Sequence, residues 1–560
     1  TDRSRGLGDV YKRQLPGNLA GAGVALGLPA EKLKDPQGKA LIQFFSKPCK
    51  PTRTNGQRTR NLPAHDPAKW QLYKNYNRQD VVTEQEILRK LSIYKTPEDE
   101  QALWSLDQHM NDNGVRLDIP MVEKIVEYDT RRRQELQEEA QELTGLKNPN
   151  SLAQLKRWLS EQGVEMANVT KDTIAEALQD PALPEVVRRV LEIRTALGKT
   201  SVAKYSTMLV AHCQDHRLRG ILQFYGANRS GRWAGRLVQT HNLAKNSLPD
   251  LALARELAAE GDFDTMGTLF GETAFVFSEL IRTAFIPSDG CRFIVSDFSA
   301  IEARVLAWLA GEEWVLEAFR NGEDIYCKTA SMMYHVPVEK HGANSHLRQK
   351  GKVAVLACGY QGGVGAMKRM DRSGSIPEDE LQSVVDQWRQ ANSKAVKLWR
   401  TCELAARTAI EEHRTVRLKN GVAFGYINGN LFIKLPSGRK LCYWDTRLKL
   451  DPRDGREHIV YMGVNQETKQ WGETETYGGK LVENIVQATA RDCLAISMQR
   501  VAALGYNIVM HVHDEIIVDC PIEDTGAMDR INACMAEPIP WAPGLPLRGD
   551  GYETPFYMKD

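Results

Sequence analysis

The sequence lacks several features that mark specialised classes of protein. No apolar run approaches the roughly 18 residues that a membrane-spanning helix needs. The ten cysteines include no C-x-x-C pair, which argues against a structural zinc site or a disulfide framework and favours reduced thiols. Neither sign of charge is in excess, because 73 Lys and Arg residues stand against 72 Asp and Glu residues. Any basic surface for a polyanionic partner must therefore be local.

The composition that remains is that of a globular protein. Hydrophobic residues make up 42% of the chain and charged residues 26%, which excludes a collagen, a coiled-coil rod and wholesale disorder. At roughly 150 residues per domain, a chain of 560 residues predicts three or four domains. The first fourteen residues, TDRSRGLGDVYKRQ, fit nothing downstream. We predict that residues 1–14 are a non-native leader.

Hydrophobic periodicity divides the chain into a helical part and a mixed part. Between about residues 93 and 212 the pattern is amphipathic and helical, with a helix start at Asn150 and Ser151. From residue 220 onward, short apolar strands alternate with helices. The segments predicted there are a strand over 292–297, a helix over 299–309, mostly helices over 311–415, β-hairpins over 416–444, a long helix over 480–504, and a strand, a polar turn and a strand over 507–519.

A candidate metal ligand ends the strand over 292–297. This apolar strand delivers Asp297 to its exposed end, where a carboxylate can bind a hard divalent cation, although a turn acid is the ordinary alternative. Ser299 and Glu302 follow in the S-x-x-E spacing of a capping box. Glu302 is therefore as compatible with capping the next helix as with a functional role.

A basic stripe follows at residues 348–360. Arg348, Lys352, Leu356 and Tyr360 are four residues apart, and each step rotates by only about 40° on an α-helix, so the four share one face. Two cations one turn apart can bind a polyphosphate, and Tyr360 adds a flat ring. A solvated basic face is the alternative, but no acid interrupts the stripe.

The third group lies in a predicted turn between two apolar strands, where His513, Asp514 and Glu515 follow one another. Adjacent acids at a hairpin tip are unfavourable unless they bind something, although an acidic turn also serves solubility. Two divalent ions close together need bridging carboxylates, and a triphosphate needs fixed positive charge. Asp297, Asp514 and the basic stripe therefore indicate two-metal phosphoryl or nucleotidyl transfer.

These three segments resemble, in order, motifs A, B and C of the family A (Pol I-like) DNA polymerases of the phage type. Motif A is DFSAIEARVLAWLAG, motif B is RQKGKVAVLACGY and motif C is HVHDEII. Three motifs in the right order are far more specific than any one of them. The resemblance covers about residue 15 to the last residue, and we expect this chain to be an N-terminally truncated member.

The resemblance implies a template-directed DNA polymerase that adds dNTPs to a primer 3′-hydroxyl in phage DNA replication. Its partners would be primer–template DNA and dNTPs, with no membrane involved. Its cofactor would be Mg²⁺, as two ions that Mn²⁺ can replace. The expected location is the cytoplasm of a bacterial host.

The resemblance also implies roles for single residues. The metal ligands would be Asp297, Phe298 and Asp514, with Glu515 beside them as a further catalytic residue. The dNTP would contact Arg348, Lys352, Leu356, Tyr360, Glu302 and Tyr326. Lys352 would also be catalytic, and Glu302 would block a ribose 2′-hydroxyl. The DNA would contact Arg232, Asn242, Arg304, Gln487 and His513. Leu356 departs from the family, which usually has an aromatic residue there, and Tyr326 stands where many members have His.

The implied fold is a mixed α+β right hand with palm, fingers and thumb. A partial ribonuclease-H-like 3′–5′ exonuclease domain would precede it as a remnant. The expected boundaries are 15–95 for this remnant, 96–215 for a helical thumb, 216–310 for the first part of the palm, 311–430 for the fingers and 431–560 for the second part of the palm.

The remnant carries only part of an exonuclease site. Tyr76 and Asp80 resemble the third motif of that domain, Y-x-x-x-D, but the upstream D-x-E and N-x-x-x-D motifs are absent from this sequence. One carboxylate cannot organise two metal ions, so we predict that this chain extends primers without proofreading. The partial sheet of the remnant is expected to leave an open edge.

Other functional classes fit less well. A single-subunit RNA polymerase would share the hand, but it has to admit the 2′-hydroxyl that Glu302 would block. A DNA-binding relic would be expected to have lost one of the aspartates or cations, and all are present. A free-standing nuclease would need the missing exonuclease motifs.

Overall fold

The computed structural model describes residues 15–559, except for 17, 36–37, 93–96, 199–201, 244, 372–373, 453, 466–467 and 469. The predicted leader, residues 1–14, lies outside this part of the chain. None of the helices in the described part is long and apolar enough to cross a membrane.

The region from residue 15 to 92 is built from helices. Asp66 begins the longest of them by accepting a hydrogen bond from the Lys69 backbone N–H. The described residues of this region contain no strand, so the partial ribonuclease-H-like sheet expected there is not confirmed and its open edge is absent. The helices are α1 (Leu19–Ala25), α2 (Gly38–Ser46) and α3 (Pro67–Leu91), with short 3₁₀ turns at 30–32, 53–55 and 63–65.

The region from residue 98 to 211 is helical, as expected. Ser151 is the residue that precedes a helix, which confirms the predicted start at 150–151. A separate small core that includes Trp158, Leu159 and Leu191 holds its middle helices together. The elements are α4 (Glu98–Asn113), β1 (Val115–Leu117), α5 (Ile119–Thr144), α6 (Leu152–Glu161), α7 (Lys171–Ala177), α8 (Glu185–Leu197) and α9 (Ala203–Ala211).

Strands and helices alternate from residue 217 to 310. A three-stranded sheet of order β2–β1–β5 connects this region to the preceding helices. The elements are β2 (Arg217–Leu218), β3 (Leu222–Ala227), β4 (Arg232–Gly235), α10 (Leu251–Glu260), α11 (Phe263–Phe270), α12 (Thr273–Leu280), β5 (Phe285–Ile286), β6 (Cys291–Phe298) and α13 (Ile301–Ala310).

Residues 313–412 form a block of helices. Two of them pack very closely at Gly351, where a Cβ atom would lie 2.3 Å from the Tyr326 carbonyl oxygen. The helices are α14 (Glu313–Arg320), α15 (Ile325–Tyr334), α16 (Leu347–Cys358), α17 (Val364–Met370), α18 (Leu381–Ala391) and α19 (Ser393–Glu412).

A six-stranded antiparallel sheet follows, with the order β12–β11–β10–β9–β8–β7. It confirms the hairpins predicted from residue 416 and extends well past residue 444. Trp444 and Trp471 of this sheet pack against the core formed by Leu15, Ile87 and Leu91. The strands are β7 (Val416–Arg417), β8 (Ala423–Ile427), β9 (Asn430–Lys434), β10 (Lys440–Asp451), β11 (Arg456–Val464) and β12 (Trp471–Thr476).

The last part of the chain completes a second, four-stranded antiparallel sheet, which we call the central sheet. Its strand order is β13–β14–β6–β15, so β6 lies between two strands that come from the far end of the sequence. Asp297 of β6 is directly opposite Glu515 on one side and Asp550 on the other. The elements are α20 (Gly478–Ala503), β13 (Asn507–Val512), β14 (Glu515–Pro521), α21 (Ala527–Ala536) and β15 (Gly549–Thr554).

Candidate active site

The two predicted metal-binding aspartates lie at the same edge of the central sheet. Asp297 is the penultimate residue of β6, and Asp514 lies in the two-residue turn between β13 and β14. The Phe298 backbone N–H donates a hydrogen bond to the Asp514 carbonyl oxygen at 3.1 Å, which ties the two segments together. The structure therefore brings together the carboxylates that the sequence places more than 200 residues apart.

The turn that follows Asp297 and the turn that contains Asp514 each include a residue in the left-handed region of backbone conformation. Ala300 has a φ of 51° and His513 a φ of 54°. Non-glycine residues in this region carry a conformational cost and persist only where the surrounding structure holds them. The sharp reversals that place Asp297 and Asp514 at this edge are thus imposed by the sheet and its neighbours.

The environment of these carboxylates suits a divalent cation. Burial, and then the negative charge of Asp514, raises the pKa of Asp297 to about 6. Burial also raises the pKa of Asp514, and the ammonium group of Lys559 opposes the shift at both residues. Carboxylates that are partly buried and repel one another are stabilised by a hard cation with oxygen preference, so this donor set fits Mg²⁺ or Mn²⁺.

Glu515 differs from its expected place in the turn. It is the first residue of β14 and its exposed fraction is only 2%. One carboxylate oxygen accepts a hydrogen bond from the Tyr557 hydroxyl, and the other accepts one from Lys559 Nζ at 3.2 Å. Glu515 is therefore beside the metal-binding edge, as the resemblance implied, but its two oxygens already have protein partners.

A cavity of about 300 Å³ opens beside the aspartates. Its walls come from helices α13, α14, α15, α16, α18 and α19 and from the turn at Asp514. Four of the residues expected to contact the dNTP line it: Glu302, Tyr326, Leu356 and Tyr360. Its volume is at the lower end of the range for small-molecule sites.

Glu302 does not cap helix α13, so the predicted capping box is wrong. The residue before the helix is Ala300, and no side chain caps that end. Glu302 instead accepts hydrogen bonds from the Tyr360 hydroxyl at 2.5 Å and from Arg232 Nη2 at 2.7 Å. The left-handed backbone at Ala300 turns the chain without side-chain help, which leaves both carboxylate oxygens of Glu302 free for these partners at the cavity wall.

The basic stripe is only partly as predicted. Helix α16 carries Arg348, Lys352 and Leu356, but it ends at Cys358, so Tyr360 lies just beyond it. Arg348 has an acidic partner, because its Nε and Nη2 atoms donate hydrogen bonds to the Asp324 carboxylate at 3.0 and 2.7 Å. Lys352 forms no ion pair with any residue that the structure describes. The side chain of Leu356 is 49% exposed.

Asp324 is a site residue that sequence reasoning missed. It precedes helix α15, and one of its oxygens accepts hydrogen bonds from the backbone N–H groups of Tyr326 and Cys327. The guanidinium group of Arg348 also lies over the Tyr326 ring, 5.3 Å from its centroid. An aspartate before an apolar helical pattern is a typical cap signal, but its second contact with Arg348 comes from the tertiary fold.

Four of the five expected DNA contacts have polar groups whose contacts leave a role in binding DNA open. Arg232 contacts Glu302, and the His513 ring donates to the His241 carbonyl oxygen at 2.9 Å. Gln487 is partly buried on α20, with its amide 3.4 Å from Glu483. Asn242 is exposed and contacts Gln239. These four residues remain candidates for DNA contact.

Arg304 does not fit a DNA-binding role. It is buried, and its guanidinium donates to the carbonyl oxygens of Ser299 at 2.6 Å and Pro546 at 3.0 Å. The group also lies 4.1 Å from the centroid of the Phe319 ring. Arg304 therefore links the start of α13 to the segment before β15, and its contact with DNA stays a prediction that these contacts do not favour.

The residues assigned to an exonuclease remnant lie on helix α3. Asp80 forms an ion pair with Lys34 at 2.9 Å, and Tyr76 is buried with the Lys34 ammonium 5.0 Å from its ring centroid. Among the described residues, Asp80 belongs to no group of three or more side chains that could hold a metal ion. The structure thus gives these two residues a packing role.

Comparisons with known proteins place the chain among DNA polymerases. The family described as DNA polymerase family A matches residues 120–418. The DNA polymerase of Bacillus phage SP02 is 52% identical over 547 residues, which cover 98% of this chain and 84% of that protein. The thermostable DNA polymerase I of Thermus aquaticus is 27% identical over 459 residues, which cover 79% of this chain and 45% of that protein. This chain therefore spans less than half the length of the Thermus relative.

A solved structure shows the same fold. The POL domain of Pol1 from M. smegmatis, in complex with DNA primer-template and dNTP, matches with a TM-score of 0.57 and 16% sequence identity. The match covers 98% of this chain and 81% of that chain, and it confirms the mixed, right-hand polymerase fold. From the family match and the phage relative, we conclude that the chain belongs to DNA polymerase family A.

Proposed function

We propose that this family A DNA polymerase carries out template-directed DNA synthesis at the edge of the central sheet, with the dNTP in the adjoining cavity. One observation supports this proposal more strongly than any other. Asp514, which shares the sheet edge with Asp297, lines the same cavity as Glu302, Leu356 and Tyr360. The residues to which we assign metal, sugar and base binding thus line a single cavity.

The metal site would consist of Asp297, Asp514 and the backbone of Phe298. Family A DNA polymerases depend on metal ions, and Mg²⁺ bound here would activate the primer 3′-hydroxyl and stabilise charge on the triphosphate. The 3′-oxygen would form a bond to the α-phosphorus of the dNTP, and the bond to pyrophosphate would break. The central sheet would hold the two carboxylates in position for this reaction without rearrangement.

The triphosphate would lie along helix α16. Lys352 has no acidic partner among the described residues, so its charge is available to the phosphates. Arg348 is bound to Asp324, so it would have to exchange this carboxylate for a phosphate oxygen when the dNTP binds. Guanidinium groups bind carboxylates and phosphates with similar geometry, which makes such an exchange feasible. Leu356 and Tyr326 would complete the nucleotide-binding surface.

Glu302 would select deoxyribose. Tyr360 and Arg232 hold its carboxylate at the cavity wall, where it would meet a ribose 2′-hydroxyl. A carboxylate that is held by two hydrogen bonds excludes an extra oxygen more strongly than a mobile side chain does. This arrangement supports DNA synthesis over the alternative of RNA synthesis.

Primer–template DNA would be bound by Arg232, Asn242, Gln487 and His513. These residues come from four separate segments around the metal-binding edge, as expected for contacts with a duplex that are independent of its sequence. Replication of phage DNA in the cytoplasm of a bacterial host is the setting that we propose, in view of the phage SP02 relative.

Primer extension tests this proposal directly. With Mg²⁺ and a labelled primer on a template, the protein should extend with dNTPs and much less with rNTPs. Asp297→Asn should abolish extension, whereas Asp529→Asn, which alters an exposed aspartate of α21, should not. Equal use of dNTPs and rNTPs, or full activity of Asp297→Asn, would contradict the proposal.

We also propose that this 560-residue chain does not proofread. Asp80 is paired with Lys34, and among the described residues it belongs to no group of three or more potential metal ligands, which argues against a site for two metal ions. A primer with a mismatched 3′ end should keep its length in the presence of Mg²⁺ and the absence of dNTPs. Shortening that disappears in Asp80→Ala would refute this proposal.

A further inference from the structure

The segment after β15, residues 555–559, returns to the metal-binding edge of the central sheet. The Tyr557 side chain is completely buried, and its backbone N–H donates to the Phe285 carbonyl oxygen at 2.9 Å. The Tyr552 hydroxyl donates to the Met558 carbonyl oxygen at 2.5 Å. The Lys559 backbone N–H donates to the Asn246 side chain at 3.2 Å. These contacts fix the course of the segment from both sides.

Two side chains of this segment bind the same carboxylate. The Tyr557 hydroxyl donates to one oxygen of Glu515, and Lys559 Nζ donates to the other at 3.2 Å. Arg282 in turn donates to the Tyr557 hydroxyl at 2.6 Å, with its own second nitrogen on the Leu243 carbonyl oxygen. Arg282, Tyr557, Glu515 and Lys559 thus form a continuous chain of contacts.

This chain of contacts ends at the metal site. Glu515 follows Asp514 in sequence and is directly opposite Asp297 in the sheet. A buried carboxylate in this position would add negative charge and could compete as an extra ligand if it had no partner. Pairing with the Lys559 ammonium neutralises this charge and holds the side chain in one orientation. The side chain of Lys559 keeps an exposed fraction of 28%, so it lies at the rim rather than in the core.

We propose that Lys559 is a positioning residue of the metal site, acting through Glu515 with the help of Tyr557. It keeps Glu515 from ligating the metal and sets the net charge that Asp297 and Asp514 present to a divalent ion. The inference rests on the proposed function of these aspartates, and it adds a residue that none of the three motifs contains.

Direct metal binding separates this role from simple anchoring of the segment. Mn²⁺ binding to the protein without DNA or dNTP is measured by electron paramagnetic resonance. In Lys559→Met and Lys559→Gln, Glu515 loses its cationic partner and its carboxylate becomes available as a further ligand, so Mn²⁺ binding should tighten about fivefold at low salt. The turnover number should fall about tenfold with a nearly unchanged KM for dNTP, because Glu515 is no longer held in one orientation. Lys559→Arg should restore both quantities.

Control variants identify the path of the effect. Lys449→Met removes a lysine that is paired with Glu473 on the six-stranded sheet, and it should leave Mn²⁺ binding unchanged. In a Glu515→Gln background, Lys559→Met should have a much smaller effect on Mn²⁺ binding than in the unaltered protein. Lys559→Gln keeps a hydrogen-bond donor, so it remains informative if the methionine variant does not fold.

The results that would overturn this inference differ from those that would refute the proposed function. A folded Lys559→Gln with unchanged Mn²⁺ affinity and turnover would overturn the inference while leaving the aspartate site intact. A lower melting temperature with unchanged Mn²⁺ affinity would also overturn it, since it would show that Lys559 only anchors the segment. Undiminished Mn²⁺ binding and primer extension in Asp297→Asn would instead refute the proposed function itself.

Discussion

The central sheet and helix α16, which both border the cavity, hold their charges in different ways. In the sheet, Asp297 lies near the end of β6 and Asp514 in the turn between β13 and β14, and a backbone hydrogen bond joins their segments. In the helix, Arg348 and Lys352 project from the element whose exposed face includes Leu356. The carboxylates are fixed by cross-strand register, whereas the Arg348 contact is an ion pair between two side chains.

This difference has a functional consequence. Groups that bind metal must be positioned to within a fraction of an ångström. A sheet holds them in place before substrate binds, so no free energy is spent on rearrangement. Groups that bind the incoming triphosphate must accept and release a ligand in each cycle, which is easier for side chains that can change partner. Substitutions on the sheet side should therefore be far more damaging than those on the helix side.

The largest effect is expected on the sheet side. Asp514→Asn should lower the rate of primer extension by about a thousandfold or more, because the remaining aspartate cannot organise two metal ions. Binding of primer–template, measured by fluorescence anisotropy, should remain within about threefold, since Asp514 carries no positive charge for DNA. A variant that keeps a tenth of the normal rate would show that the carboxylate is not needed.

A change at the cavity wall should have an intermediate effect. Glu302→Ala opens space beside the sugar, so discrimination between a dNTP and the matching rNTP should fall by roughly 50-fold, within the range that one steric contact supplies. Single-nucleotide incorporation with each substrate gives the ratio of kcat/KM. A parallel loss for both substrates would show that Glu302 only supports Tyr360 and Arg232. The matched control, Glu313→Ala, alters a solvent-facing glutamate at the start of α14 and should leave the ratio unchanged.

A substitution beside helix α16 should have a small effect, and it should favour binding of the dNTP. Asp324→Asn removes the charge that holds Arg348, yet the amide oxygen can still accept the backbone hydrogen bonds at the start of α15. The KM for dNTP should fall about fivefold, because Arg348 no longer has to leave a carboxylate. An increase in KM would indicate that Asp324 orients Arg348 for the phosphates rather than competing with them.

The protonation of Asp297 gives the smallest expected effect. Because its pKa is raised to about 6, this group binds a proton as the pH falls from 7.5 to 5.5, and a protonated carboxyl group is a poor metal ligand. Mn²⁺ affinity should therefore weaken about fourfold over this interval from Asp297 alone. The stability of the metal-free protein has the opposite pH dependence. Its free energy of unfolding falls as the pH rises through 6, because the buried carboxyl group then becomes charged. Isothermal titration calorimetry at both pH values measures the first effect, and a Mn²⁺ affinity that does not change with pH would contradict it.

The sequence predicted the parts of this site that depend on local pattern. The apolar strand before Asp297, the polar turn at Asp514 and the long helix of residues 478–503 all follow from periodicity and turn chemistry. The order of three motifs then identified the family. These features are local because each is set by residues within a few positions along the chain.

The parts that the sequence did not predict depend on distant contacts. The S-x-x-E spacing at Ser299 indicated a cap, but Tyr360 and Arg232 bind Glu302 in three dimensions. The resemblance assigned Arg304 to DNA, yet two backbone carbonyl groups bind it inside the protein. A motif thus specifies which residues are near the site, while the tertiary partners determine what each of them can contact.

The six-stranded sheet has a consequence for the way in which the chain unfolds. Trp444 and Trp471 place it against the core of Leu15, Ile87 and Leu91, so residues more than 350 positions apart share one apolar cluster. Loss of the sheet would expose that cluster and remove much of what holds helices α1 and α3 in place. The region before residue 92 is therefore expected to melt together with the six-stranded sheet as one cooperative unit, and the part of the tryptophan fluorescence change that Trp444→Phe and Trp471→Phe remove would report the transition.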